Sequence, residues 1–88
     1  MPNEHDSKKI KVERVQLGVR MERRMVKVLK AMAEYHDISL GDLMEGIILH
    51  ALEGKSPFDE AAIKRINQFK DIYGMDYDSS AAHNFVEE

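Results

Sequence analysis

The sequence predicts a mostly α-helical chain with one N-terminal β-strand whose pairing partner lies on a second copy. Three observations predict it. Residues 14–21, RVQLGVRM, alternate apolar and polar without a break, as a strand with one buried face requires. Nothing else in the chain alternates, and no Asn-Gly or Asp-Gly turn follows to make a hairpin. From Met21 onward, apolar residues recur at helical spacing in three successive blocks. A lone strand cannot satisfy its own N–H and C=O groups, so the expected state is a homodimer.

The totals agree with a small domain in need of a partner. The chain has 88 residues, no cysteine and a net charge of −3. A single core in so short a chain buries a modest share of its surface, and subunit association is a common remedy. The absence of cysteine excludes disulfides and fits a reducing cytoplasm. MPNEHDSKKIKVER is charged and lacks an apolar centre, so no signal peptide is expected. No apolar run reaches the ~18 residues of a membrane span, and the expected location is cytoplasmic. The charge is divided unevenly. Residues 1–30 carry nine Lys and Arg against four Asp and Glu, a net of +5, which leaves −8 for residues 31–88. A basic front suits a polyanion and an acidic back suits something else; scatter in a charge-rich chain is the plainer alternative.

Taken in order, residues 1–11 read as a flexible basic arm. The strand follows at about 13–21, with Val15, Leu17, Val19 and Met21 on its apolar face and Arg14, Gln16, Gly18 and Arg20 on the other. In MERRMVKVLKAMAEYHD the stripe Met21, Met25, Val28, Leu29, Met32 and His36 predicts a helix over 22–35. Its start lacks a strong capping residue, although Glu22 suits the positive end of the helix dipole. SLGDLMEGIILHALEG opens with Ser39 and Asp42, a near capping box, and closes at Gly54, where a left-handed cap belongs. A helix over 40–53 results, with Leu43, Met44, Ile47 and Ile48 in a wide apolar face suited to a dimer core. KSPFDEAAIKRINQFKDIYG places Ser56 as N-cap, Pro57 at the first helical position and Gly74 at the end. The third helix is expected over 57–73, inside a C-terminal unit spanning 55–74. Residues 75–88 read as an acidic tail, mobile when alone.

A strand that pairs between subunits, followed by two helices, resembles the ribbon-helix-helix family of Arc, MetJ and CopG-type repressors. The resemblance covers residues 14–53 of a 12–54 domain. It rests on RVQLGVRM, on a first helix ending AEYHDIS and on a second helix opening SLGDLM. It implies a homodimer with an antiparallel two-stranded ribbon inserted into the DNA major groove, to which the periodicity of this chain adds the third helix. Val15, Leu17, Val19 and Met21 would then join Leu43, Met44, Ile47 and Ile48 in the dimer core. Gln16, Gly18 and Arg20 match the base-reading positions by the same resemblance, with Arg14 beside them. Arginine pairs in bidentate fashion with guanine and glutamine with adenine, each worth ~1–3 kcal/mol of discrimination. Glycine reads nothing, which is a departure from the pattern. Relatives often have a proline where this chain has Glu22.

Phosphate contacts have separate candidates. Ser39, Leu40 and Gly41 open the second helix, whose free N–H groups and dipole attract anions. Lys8, Lys9 and Lys11 suit a loose arm along the backbone, and Arg23 and Arg24 stand at the strand-to-helix junction. The plainer alternative for Arg14, Gln16 and Arg20 is the solvated face of a half-exposed strand. No two histidines have ligand spacing, no phosphate loop or nucleophile elbow occurs, and the serines read as caps or tail. A non-enzyme without metal or cofactor is expected. The function implied is a sequence-dependent DNA-binding transcriptional regulator, a repressor by family, acting on double-stranded DNA. Two alternatives remain open. One is an antitoxin-like protein whose residues 75–88, with Tyr77 and Phe85 as anchors, bind a partner toxin. The other is a dimerisation module that has lost DNA binding.

Overall fold

The computed structural model describes residues 9–88. It contains three α-helices, α1 (Arg23–Tyr35), α2 (Leu40–Leu52) and α3 (Glu60–Tyr73), and a short 3-10 turn over Ser79–Ala81. The mostly helical class and the order of the three helices match the sequence reading. The strand does not. Among the described residues there is no strand, and residues 9–22 belong to no regular element. The reason is the one that predicted a second copy: among the described residues the alternating segment has no second strand to complete a ladder. Residues 1–8 of the basic arm lie outside the described residues.

α1 begins one residue later than the periodicity suggests because Glu22 caps it. The Glu22 carboxylate accepts from the backbone N–H groups of Arg24 (3.0 Å) and Met25 (3.1 Å). A long acidic side chain thus does what Ser or Asp usually does, at a position where the sequence showed only dipole complementarity. α2 opens as expected, with Ser39 Oγ accepting from the Asp42 N–H at 3.0 Å. α3 starts three residues later than expected. Ser56 closes a local turn instead, donating to the Phe58 carbonyl at 3.0 Å. Asp59 takes over the cap, accepting from the Ala62 N–H at 2.8 Å, and Pro57 stays outside the helix. Seating Phe58 in the core before the helix begins accounts for the shift.

All three helices end with the same pair of hydrogen bonds. Asp37 and Ile38 donate to Glu34 and Ala33, Gly54 and Lys55 to Ala51 and His50, and Gly74 and Met75 to Asp71 and Lys70. Each pair needs a left-handed residue, supplied by Gly54 (φ 71°), Gly74 (φ 68°) and Asp37 (φ 57°). The two glycines were legible in sequence; an aspartate in that role was not.

α1 is the central element. It packs against both α3 and α2, which make no close backbone approach to each other. The fully buried centre is small: Met32 (1% exposed), Ala33 and Leu43 form one cluster. Leu29, Ile47, Phe58, Ile66 and Phe69 pack around it half-buried. Leu43, read from sequence as dimer core, therefore faces the chain's own core. His36 is the exposed C-cap of α1, edge-on to Tyr35 at 5.2 Å. The radius of gyration is 15.5 Å, against about 12 Å for a compact domain of this length. One folded chain is elongated and leaves much apolar surface uncovered.

Candidate nucleic-acid interface

The alternating segment stands exposed throughout, its apolar residues included. Val15 (82%), Leu17 (78%) and Val19 (62%) are among the most exposed large hydrophobic residues of the chain. Of the polar residues, Arg14 reaches α2 in a two-pronged contact with Glu45, Nε to Oε2 at 3.1 Å and Nη2 to Oε1 at 3.0 Å. Each partner stabilises the other's charged form, raising the arginine and lowering the carboxylate. Gln16 is exposed, and a Cβ placed on Gly18 would meet nothing within 4 Å. Arg20 lies 3.4 Å from the Glu87 carboxylate, with both side chains largely in solvent.

The junction into α1 is more tightly organised. Besides its two backbone bonds, the Glu22 carboxylate accepts from Arg24 Nε at 3.2 Å and from the Tyr77 hydroxyl. Arg24 also donates through Nη1 to the Gly74 carbonyl (3.0 Å) and to Asp76 (3.1 Å), and its guanidinium sits 5.3 Å from the Tyr77 ring centre. The Arg24 N–H and then the Tyr77 hydroxyl hold the Glu22 carboxyl down at about 2. Partial burial, and then the bond to Glu22, push the Tyr77 phenol up to about 12. Tyr77 and Phe85 meet edge to face at 5.0 Å. Residues 75–88, expected to be mobile, thus lie against the start of α1. The sequence marked Tyr77 and Phe85 as anchors for a partner protein; no spacing rule pointed to Glu22 as the acceptor.

Arg20 joins this junction to the start of α2. On one side it lines a groove of about 720 Å³ with Arg23, Arg24 and residues 85–88. On the other it borders an apolar cleft of about 440 Å³ formed by Val19, Met21, Val26, Leu29, Leu40 and Met44. Leu40 and Gly41 are the first two residues of α2, whose N–H groups have no acceptor within the helix. The space around Gly41 is open. So the structure brings Arg20, Arg23, Arg24 and the α2 start into one neighbourhood. Arg14 is drawn towards Glu45 instead, and Gln16, Gly18, Lys9 and Lys11 stay exposed without ion pairs among the described residues. Lys8 lies outside the described residues.

Of the remaining residues read as dimer core, Val15, Leu17, Val19, Met21 and Ile48 are exposed, and Met44 and Ile47 are half-buried. Leu49 and Leu52 extend the exposed apolar surface of α2. Among the described residues no helix is long and apolar enough to cross a membrane. No group of three or more His, Asp or Glu among the described residues is arranged to hold a metal ion. Comparison of the chain with protein-family models, curated proteins and solved structures gave no match to any of them.

Proposed function

We propose that this chain is a homodimeric DNA-binding protein of ribbon-helix-helix type, a transcriptional regulator that sets a two-stranded ribbon into the major groove. One observation carries the reading. The alternating segment offers Val15, Leu17 and Val19 to solvent, uncovered by any other described residue. Pairing that segment with its copy supplies both a ladder partner and a cover for the apolar face. Arg14, Gln16 and Arg20 then project from the opposite face, as groove-reading side chains must. The apolar cleft beside Val19 and Met21 and the exposed Ile48, Leu49 and Leu52 extend the surface available to the second copy. The open N-terminus of α2 and the arginines at the junction are the phosphate contacts of this reading.

The test is a titration of the protein into a fluorescent random-sequence duplex at two salt concentrations, beside an Arg14→Ala/Arg20→Ala variant. Expected are binding by wild type, a steep loss with added salt and weaker binding by the variant. Sedimentation of the same samples should give a dimer. Absence of binding by either protein at low salt overturns the DNA reading and leaves residues 14–21 as a seam between copies.

A further inference from the structure

We infer that residues 75–88 are an internal occupant of the arginine surface at the start of α1, and that a polyanion has to displace them in order to bind there. The inference rests on the reading of that surface as the nucleic-acid face.

The segment carries Asp76, Asp78, Glu87 and Glu88 and no Lys or Arg. It places two of those carboxylates on two of the arginines: Asp76 on Arg24 at 3.1 Å and Glu87 near Arg20 at 3.4 Å. With Glu22 on Nε and the Gly74 carbonyl also on Nη1, Arg24 has much of its donor fork engaged. The geometry is held by specific features. Gly74, left-handed at φ 68°, turns the chain back at the end of α3. Tyr77 then ties it to Glu22, and the edge-to-face contact with Phe85 returns residues 85–88 to the groove beside Arg20, Arg23 and Arg24. The outer ion pairs are solvent-open, with the Arg20 and Glu87 side chains 87% and 75% exposed. Such pairs exchange readily for a stronger anion. A base edge at Arg20 or a phosphate at Arg24 competes for donors the carboxylates already occupy, so apparent affinity is lowered by the fraction of molecules in which the segment is docked.

The test uses the full chain in three forms: wild type, Asp76→Asn/Glu87→Gln, and Glu34→Gln/Asp71→Asn. The third removes the same charge from the exposed faces of α1 and α3 and controls for net charge. Each is titrated into the random-sequence duplex at low salt. The Asp76→Asn/Glu87→Gln protein should bind about three- to tenfold tighter than the charge-matched control. Equal affinities for the two variants overturn the inference while leaving the DNA reading in place. Failure of all three to bind overturns both. A second readout is chymotryptic cleavage of the wild-type Phe85–Val86 bond, followed by mass spectrometry. Saturating duplex should speed it severalfold, and an unchanged rate overturns displacement.

Discussion

The hydroxyl of Tyr77 donates to Oε1 of Glu22, across 55 residues of sequence. The side chain that caps α1 is therefore also the anchor of the C-terminal segment. Helix initiation and tail docking share one carboxylate, and a change to either residue is felt at both ends of the chain.

That sharing gives stability a defined pH dependence at both extremes. The Glu22 carboxyl is held at about 2, below its ordinary 4.5. Its stabilising contribution is present above about pH 5 and lost as pH falls through 4.5 towards 2. Tyr77 is shifted the other way, from 10.0 to about 12, so its contribution is complete below pH 10 and lost as pH rises towards 12. Glu22→Gln should flatten the fall in thermal stability between pH 5 and pH 2. Tyr77→Phe should remove the highest-pH step from an ultraviolet phenol titration. A Glu22→Gln profile as steep as wild type contradicts the assignment.

Asp37 is the one non-glycine residue among the three left-handed helix ends. Left-handed backbone costs an L-residue roughly 1–2 kcal/mol, less for aspartate than for most. Asp37→Gly should keep both closing hydrogen bonds and raise the melting temperature by about 2–6 °C. Asp37→Val should lower it. Calorimetry of the three proteins decides the point.

Met32 and Leu17 should behave in opposite ways. Met32 is the most deeply buried side chain, and Met32→Ala should cost about 2–5 kcal/mol in denaturant unfolding. Leu17 stands exposed in the single chain, so Leu17→Asp should leave the helical circular dichroism of a monomer intact. If two copies pair through residues 14–21, the same variant should sediment as a monomer where wild type sediments as a dimer.

Gly46 separates intrachain from interchain packing. A Cβ at that position meets nothing within 4 Å in the single chain, and glycine inside a helix costs up to ~1 kcal/mol relative to alanine. Gly46→Ala should therefore stabilise α2 of the isolated chain. If a second copy approaches α2 closely there, the substitution should weaken dimerisation, measured as a higher dissociation constant by sedimentation equilibrium.

The helices were legible in the sequence because their signals are local. Spacing marked the three apolar stripes, Ser39 marked the start of α2, and Gly54 and Gly74 marked two ends. Legibility failed where a local signal had a rival. Ser56 and Asp59 are both good caps, and the seating of Phe58 decided between them. Asp37 gave no glycine to read. At the candidate interface, Glu45, Asp76 and Glu87 went unmarked as partners of the arginines. Surface charge pairs between distant segments leave no periodic trace.

By itself, then, the sequence determined what depends on neighbours within one or two turns: the three helices and half of their caps. Tertiary structure decided what depends on how those pieces meet. It placed α1 between α2 and α3, turned Leu43 into the chain's own core, and folded the acidic C-terminal segment onto Glu22 and Arg24. The physical reason is range. Helix periodicity and capping are written into adjacent residues, whereas contacts across 50 or more positions form only when packing has brought their elements together.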